Sequence, residues 1–319
     1  MLTYDRLARR PRAFRSLTGF DPAAFDALFA DYQAEADRQR RQSRRTTLGT
    51  RRQRAVGGGA KHTLDARTRL LLALVWLRAS PTYALLGVLF DLDAGNAHRN
   101  TQAVLAVLDA LTDFPFDRPD HDPDRHKLSS LAEVMDAFPD VRVVIDTKEQ
   151  RTRRPGGAYR NQKPYYSMKK KAHTLKTQVV VRPDGRIESV GESIPGGSKH
   201  DKTVLRESGV LGKLADGEGA MMDKAYASVR ADHPERPLIT PEPARRNHPL
   251  DEHQKVANRF IARYRIVVEH TLAQMNSYTV LRQVWRGRRD GHHRVVRVVG
   301  GLVNRRIDAA PLKRYSTAA

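Results

Sequence analysis

Three acidic residues are candidates for catalysis because each lies beside an apolar segment. Asp146 follows the β-branched run VRVVI, Asp223 follows GAMM, and Glu269 lies within RYRIVVEHTL. Burying an unpaired carboxylate costs on the order of several kcal/mol, so each acid needs a partner. Three acids brought together can bind two Mg²⁺ ions, which activate a water or hydroxyl nucleophile and stabilise the leaving oxygen at a phosphodiester. The sequence therefore predicts a site for metal-dependent phosphodiester chemistry.

Each acid also has a simpler interpretation that the residues alone leave open. Asp146 could cap a turn after a strand, and Asp223 could cap a turn or helix before Lys224. Glu269 could form an ion pair with Arg265, four residues earlier on a helix. Together, in a strongly basic protein, the three acids are harder to explain in this way.

Asp201, in KHDKTV, is a rival for the second metal ligand because it also follows a predicted strand. Its position at the start of DKTVLRES equally fits the N-cap of a helix. The neighbouring His200 is expected to form structural hydrogen bonds, since Mg²⁺ prefers oxygen ligands. We therefore assign His200, Asp201 and Arg265 supporting roles.

The elements that must position these acids alternate between strands and helices. β-Branched and alternating patterns predict strands at 141–146, 173–182, 186–193 and 218–223, and a long helix follows at 251–277. In the second strand, alternate residues are polar, which predicts a sheet with one side partly open to solvent or ligand. On the long helix, Arg265 and Glu269 share a stripe that borders an apolar one. The fold class is α+β or α/β with a mixed sheet.

Residues 63–111 have the pattern of three helices in a helix-turn-helix arrangement. The first contains the apolar run LLLALVWL, the second begins at Pro81 or Thr82, and the third begins after Asp93, its predicted N-cap. Polar residues at the start of a second helix of this motif read base edges and phosphates in the major groove. These candidates are Asn96, His98, Arg99 and Gln102. Helices of this kind also serve as plain scaffold, and the pattern alone does not separate the two uses.

Composition limits the classes of function. The chain has 319 residues, and 57 Lys plus Arg against 36 Asp plus Glu give a net charge of +21, so a polyanion such as nucleic acid is the expected partner. The absence of cysteine excludes disulfides and thiolate catalysis. The longest apolar run is far shorter than a membrane span, and no signal-peptide pattern is present, so we expect a cytoplasmic protein that associates with the bacterial nucleoid rather than with a membrane.

Two basic segments could contact DNA. Eight arginines between Arg38 and Arg54, with no acid among them, precede three glycines. They predict either a solvated linker or an arm that self-repulsion keeps from packing and that follows phosphates. The second segment has tyrosines interleaved and could line a DNA channel or protect a strand edge; it comprises Lys169, Lys170, Lys171 and Lys176.

The order of several sequence blocks resembles a known family. The blocks VVIDTKEQ, NQKPYYSMKKKAHTLKTQVVV, IPGGSKHDKTVLRESG, MMDKAYASV and RYRIVVEHTLAQM, which follow the helix-turn-helix segment, are similar to the DDE transposases of bacterial insertion sequences. The chain departs from related sequences at Thr147, Lys148 and Met168, where glycine is usual next to the first acid and in the YYSMKKK block. None of these departures removes an acid.

This resemblance implies an RNase H-like catalytic domain, Mg²⁺ dependence with Mn²⁺ as a substitute, and DNA strand transfer. By block position, Asp146, Asp223 and Glu269 match the family's catalytic acids. The sequence pattern and the resemblance together predict a helical N-terminus with the arginine arm (1–60), the helix-turn-helix (61–112), a linker (113–135), the catalytic domain (136–307) and a tail (308–319). The implied partners are transposon inverted-repeat ends and target DNA, bound by a homodimer or larger oligomer. An endonuclease that cuts without joining, and an inert DNA-binding regulator, remain alternatives.

Overall fold

A computed structural model describes residues 1–47, 64–114, 138–244 and 249–309, with the side chains of 43–47 and Arg263 excepted. The chain forms two compact units, one of Met1–Thr112 with Tyr278–Val280 and the other of the remaining residues. Most of the predicted linker and most of the predicted tail lie outside the described residues. Within the described ranges, no helix has the length and apolarity that a membrane crossing requires.

The first unit consists of helices. They are α1 (Tyr4–Ala8), α2 (Pro11–Thr18), α3 (Pro22–Thr47), α4 (Ala66–Ala79), α5 (Tyr83–Phe90) and α6 (Ala94–Ala110). Their starts follow capping rules, because Asp65, Thr82 and Asp93 each accept a hydrogen bond from a backbone N–H in the first turn of the helix that follows. The apolar run of α4 is buried, and Val104, Leu105 and Leu108 of α6 pack inward. The predicted three-helix pattern is therefore confirmed.

The first part of the arginine segment forms a regular helix, which neither the linker nor the arm interpretation predicted, while Arg38, Arg40 and Arg41 are exposed. Helix α3 continues through Thr47, so Arg38, Arg40 and the next three arginines of the segment are helical. Two acids on the same helix explain this, because Arg38 binds Glu35 at 2.7 Å and Arg40 lies 3.7 Å from Asp37. The last three arginines, Arg51, Arg52 and Arg54, lie outside the described residues.

The second unit is built on a seven-stranded mixed sheet. Its strands are β1 (Val141–Arg151), β2 (Tyr166–Ser167), β3 (Ala172–Val181), β4 (Ile187–Val190), β5 (Ile194–Pro195), β6 (Gly219–Met222) and β7 (Leu238–Ile239). The order of neighbouring strands in the sheet is β2-β3-β1-β6-β7, and β4 and β5 also pair with β3. β1 is antiparallel to β3 and parallel to β6, and β6 is parallel to β7. The predicted mixed, RNase H-like sheet is confirmed, and a strand is present at each predicted position, although the first extends past its predicted end at Asp146 to Arg151.

Helices and short 3₁₀ segments connect and follow these strands along the chain. The α-helices are α7 (Tyr159–Gln162), α8 (Asp201–Ser208), α9 (Glu252–Asn276), α10 (Thr279–Arg282) and α11 (His292–Ala309). The 3₁₀ segments are Lys163–Tyr165, Val210–Lys213, Lys224–Asp232 and Arg289–Gly291. A capping box between Asp251 and Gln254 begins α9, which is the predicted long helix.

Both faces of β3 are covered, which corrects the expectation that one side of this strand is partly open to solvent, whereas Asp146–Glu149 of the neighbouring β1 are half-buried. All residues of β3 from Thr174 to Val181 are buried. Polar residues of β3 have partners in other elements: Gln178 Nε2 donates to the Ser208 hydroxyl at 3.1 Å, and Thr177 shares a 2.8 Å hydrogen bond with Ser193. The alternation of polar residues predicted a solvent-exposed face because the sequence does not reveal side-chain partners that lie far away along the chain.

Candidate active site

Asp146 and Asp223 lie at matching positions on neighbouring strands. The parallel pairing of β1 with β6 ends at Ile145 and Met222, and the two aspartates are the next residues along the chain in each case. One prediction was wrong in detail, because Asp146 does not end its strand. β1 continues to Arg151 through antiparallel pairing with β3, in which Asp146 faces Val179. Asp146 therefore lies inside β1, at the point where its parallel neighbour ends.

The charges around these acids act on one another. Burial raises the pKa of Asp146, and the nearby carboxylates of Asp223 and Asp201 raise it further. The N–H of Thr147, which donates to Asp146 Oδ1 at 2.7 Å, and the guanidinium of Arg265 act in the opposite direction. The arrangement concentrates negative charge at one place and makes it attractive to a cation.

Arg265 is the cation that the chain itself supplies. Its Nη1 lies 3.4 Å from Asp223 Oδ1. Glu269 follows one turn later on the same helix face, and Asn276 lies on this face seven residues further along, where its Oδ1 accepts a 2.6 Å hydrogen bond from Lys148 of β1. The face of α9 that carries Glu269 is therefore held at two points. Before Glu269, Arg265 contacts Asp223, and after it, Asn276 contacts Lys148 of β1.

Glu269 is nevertheless exposed, although the neighbouring Val268 is fully buried. Glu269 does not form the ion pair with Arg265 that the sequence offered as an alternative, since Arg265 pairs with Asp223. Within the described ranges, no three His, Asp or Glu side chains are placed to hold a metal ion as they stand. The structure therefore brings Asp146 and Asp223 together and leaves the Glu269 side chain in solvent.

The capping alternative for Asp223 is also realised. Asp223 is the N-cap of the 3₁₀ segment that follows it, where its Oδ1 accepts from the Lys224 N–H at 2.6 Å. A cap uses only part of the hydrogen-bonding capacity of a carboxylate, so this role and metal binding are compatible.

Asp201 lies close enough to Asp146 to affect its pKa, but it binds a lysine. Asp201 Oδ1 is 2.7 Å from Lys176 Nζ, and Glu149 lies 3.7 Å from the same nitrogen. His200, rather than Asp201, occupies the N-cap position of α8, and it is exposed. Asp201 therefore holds a neighbouring cation instead of capping the helix.

The four lysines proposed to contact DNA divide into two groups. Lys169, Lys170 and Lys171 are exposed in the turn between β2 and β3. Lys176 is 6% exposed and is neutralised by its two acidic partners, so it does not present its charge to solvent. The expectation for Lys176 was wrong because both partners, Glu149 and Asp201, are distant in sequence.

Two residues beside the acids were not identified from the sequence. Lys148 lies on the same face of β1 as Asp146; burial lowers its pKa to about 8, helped by the charge of Lys170. Tyr226 is fully buried, and burial followed by the charges of Asp201 and Asp146 raises its pKa. The period-two alternation of β1 could have identified Lys148, whereas no local pattern marks Tyr226.

In the first unit, the polar residues of α6 lie near its N-terminus as expected. His98 and Arg99 are exposed, and Asn96 and Gln102 are partly exposed. Arg99 Nη2 donates to Asn96 Oδ1 at 2.8 Å, and Asn96 in turn binds Asp93. His98 packs edge-on against Tyr83 with 4.9 Å between ring centroids. These interactions orient the polar groups toward one end of α6.

Comparisons with known proteins agree with both units. Residues 145–304 match the family described as DDE superfamily endonuclease, and residues 62–113 match the helix-turn-helix of DDE superfamily endonuclease. A probable transposase for insertion sequence element IS702, from Microchaete diplosiphon, is 30% identical over 165 residues, which make up 51% of this chain and 56% of that protein. The match thus spans little more than half of this curated relative. No solved structure matches the chain significantly.

The endonuclease match covers half of the chain, including Asp146, Asp223 and Glu269, and the second match covers helices α4 to α6. Both matched regions imply DNA binding, in agreement with the net charge of +21. The resemblance predicted from the sequence blocks is therefore confirmed, and the chain belongs to the DDE superfamily endonucleases, with their helix-turn-helix region at its N-terminal side.

Proposed function

We propose that this protein is a transposase of a bacterial insertion sequence that cleaves phosphodiester bonds at the transposon ends and joins the resulting 3′-hydroxyls to target DNA. One observation carries the proposal: Asp146 and Asp223 directly follow the last residue pair of two adjacent parallel strands. Their carboxylates share one place in the fold, beside the α9 face that bears Glu269. The family membership and the basic charge support the same function.

The three carboxylates are the type of ligand that a hard divalent cation prefers. Asp146, Asp223 and Glu269 would hold it, since all three offer carboxylate oxygens and Mg²⁺ prefers such ligands. The raised pKa of Asp146 supports this fit, because its cause is burial together with like charge from Asp223 and Asp201, and a cation relieves both. When bound, Mg²⁺ or Mn²⁺ supplies Lewis-acid activation of the attacking oxygen and stabilisation of the leaving oxygen.

The chain's own side chains prepare the site for DNA. Arg265 holds Asp223 at 3.4 Å and offsets part of the negative charge that would otherwise repel a phosphate. Lys148 ties β1 to the end of α9 through Asn276 at 2.6 Å and the Leu281 carbonyl at 3.1 Å. This tie fixes the helix that carries Glu269 relative to the strand that carries Asp146.

A strand-transfer assay tests the proposed function. Duplex DNA with the inverted repeats that flank the coding region is incubated with the full chain, a supercoiled target plasmid and Mg²⁺. We expect nicked ends and joined products. Nicked ends without joined products would instead identify an endonuclease that does not transfer strands, and binding without either product would identify an inert regulator.

We also propose that Arg99 reads the transposon end. Arg99→Ala should weaken binding to that end by about 1 to 3 kcal/mol if the guanidinium binds a guanine, because the variant cannot form the bidentate hydrogen bonds. The hydrogen bond to Asn96 at 2.8 Å orients the guanidinium in advance. Binding is measured on the end sequence and on variants with single base-pair changes.

Arg99→Lys is the matched variant because it keeps the charge and removes the two-pronged geometry. We expect it to behave like Arg99→Ala in base discrimination and like wild type in salt dependence. Unchanged discrimination in both variants, with a reduced salt slope in Arg99→Ala alone, would make Arg99 a phosphate-binding residue.

The arginine segment should strengthen DNA binding through phosphate neutralisation. Replacing the eight arginines from Arg38 to Arg54 with glutamine should lower affinity for the transposon end and for random DNA by similar factors. For each phosphate that the variant no longer neutralises, the log-log salt slope should fall by ~0.9 on duplex DNA. The pairs of Arg38 with Glu35 and of Arg40 with Asp37 predict that these two arginines contribute least.

The measurement is a salt titration of wild type and variant on both DNAs, with the Arg38 and Arg40 double variant as control. Equal log-log salt slopes for wild type and for the variant with all eight arginines replaced would show that the segment is a linker. Weaker binding confined to the transposon end would show that it reads sequence.

A further inference from the structure

A cleft of about 590 Å³ opens in the second unit beside the strand pair β2 and β3. One wall is the turn that carries Tyr166, Met168 and Lys169, and the other is the loop after β5 with the first residues of α8, including Lys202. The volume suits one small ligand, since sites for drug-sized molecules span roughly 300–1,000 Å³. The cleft is therefore too small for a base-paired duplex and large enough for a single nucleotide.

The two walls are held in place by close packing. A Cβ atom at Gly196 would lie 1.9 Å from Thr174 Oγ1, and one at Gly197 would lie 2.2 Å from the Tyr166 carbonyl oxygen. The glycines thus let the loop lie directly on β2 and β3. Lys176 adds a second anchor, because its Nζ donates to the Lys199 carbonyl at 3.0 Å and pairs with Asp201 at 2.7 Å. The cleft is consequently a defined feature of this fold.

The lining combines a flat ring with free positive charge. Tyr166 is 41% exposed, and its ring is held edge-on by His173 at 5.5 Å between centroids. Met168 is 80% exposed beside it. Whereas Lys176 and Lys199 are paired with acids, Lys169 and Lys202 form no ion pair with any residue in the described ranges. A fixed aromatic ring next to unpaired lysines is the combination that binds bases and phosphates of single-stranded DNA.

The cleft lies next to the candidate catalytic acids. Asp201 contributes to its wall and is near enough to Asp146 to raise the pKa of that residue. Ala225 and Ser228, from the segment that begins after Asp223, line its other side. A nucleotide bound in the cleft would therefore be a near neighbour, along the same DNA strand, of a phosphate bound at Asp146 and Asp223.

We propose that this cleft binds an unpaired nucleotide of the DNA strand beside the scissile phosphate, with the base stacked on Tyr166 and the phosphate bound by Lys169 and Lys202. This inference rests on the proposed function, since it requires DNA at the acids. Opening of the duplex next to the cleaved bond would expose such a nucleotide, and its capture would hold the strand in place for the reaction.

The test compares two forms of one transposon-end duplex, blunt and with a short single-stranded overhang, by fluorescence anisotropy with the full chain. We expect wild type to bind the overhang form more tightly. Tyr166→Ala should bind the overhang form about 10-fold more weakly and the blunt form equally well, since stacking on one base is removed. Tyr166→Phe should retain the preference, because the ring suffices for stacking. The matched control is Tyr159→Ala, an equally large change at a residue that is 74% exposed outside the cleft.

A second measurement locates the base. An overhang with 4-thiothymidine should crosslink to a peptide that contains Tyr166 or Met168. The nucleotide site would be overturned if the Tyr166→Ala and Tyr159→Ala variants bound the overhang form with equal affinity, or if the crosslinks fell elsewhere. In either case, binding of the blunt duplex would leave the proposed function intact. Equal reductions on both DNAs would overturn the nucleotide site as well. Failure of wild type to bind either DNA would overturn the proposed function itself.

Discussion

Replacement of Asp146, Asp223 or Glu269 by alanine is expected to abolish metal-dependent cleavage and to leave binding of the transposon end nearly unchanged. We expect the cleavage rate of each variant to fall at least about 1,000-fold, equal to about 4 kcal/mol of activation free energy. End binding should persist because its proposed determinants lie in the other unit, on α6. The measurements are single-turnover cleavage of labelled end DNA and anisotropy on the same DNA.

The controls separate loss of catalysis from loss of the fold. Asp146→Asn removes a half-buried carboxylate whose pKa is raised by desolvation, so we expect its Tm to equal or exceed that of wild type. Asp216→Ala, at an exposed acid before β6, should cleave normally. Substantial cleavage by any of the three alanine variants would remove that residue from the site. Full activity of Asp223→Ala together with an inactive Asp201→Ala would transfer the second role to Asp201.

Substitution of Gly219 by alanine is expected to destabilise the strand that carries Asp223. A Cβ atom at this position would lie 2.0 Å from the Pro237 carbonyl oxygen, which belongs to the backbone before β7 and cannot rotate away. The Gly219 N–H also donates to the Asp140 carbonyl at 2.6 Å, so β6 is held on both sides. We expect a decrease of about 3 kcal/mol in stability and a Tm lower by roughly 6–12 °C.

Gly212→Ala is the matched control, because a Cβ atom there would meet nothing within 4 Å and the backbone does not have a positive φ. Alanine at such a site is neutral or stabilises by about 0.4–1 kcal/mol, chiefly through the unfolded chain. Thermal unfolding followed by circular dichroism compares the two variants. If the Tm values of Gly219→Ala and Gly212→Ala agree, the approach of β7 to β6 is looser than the structure indicates.

Local sequence rules predicted the elements that local interactions determine. Asp93 caps α6 through a 2.7 Å bond to the Asn96 N–H, and the β-branched run before Asp146 forms the centre of the sheet. The position of Asp146 and of Asp223 at the end of an apolar segment also followed from the sequence, whereas their adjacency was implied only by the resemblance to DDE transposases. These features depend on capping, alternation and burial within a few residues.

Features that depend on distant partners could not be predicted in this way. β1 extends past Asp146 because residues from Thr147 to Arg151 pair with β3, a register that no property of TKEQR reveals. Lys176 is buried because Glu149 and Asp201 approach it from two other elements. The polar face of β3 therefore looked like a DNA-binding or solvent-exposed face, although it is part of the interior.

The most direct test of the central claim, that the carboxylates of Asp146, Asp223 and Glu269 form one metal site, is anomalous diffraction from crystals of the full chain grown with Mn²⁺. The claim predicts an anomalous peak within about 2.0–2.3 Å of carboxylate oxygens from Asp146 and Asp223, with Glu269 turned toward it. In Asp146→Asn crystals the peak should be absent or strongly reduced. A saturating Mn²⁺ concentration that gives no peak at these residues, or a peak bound by Asp201 without Asp223, would contradict it.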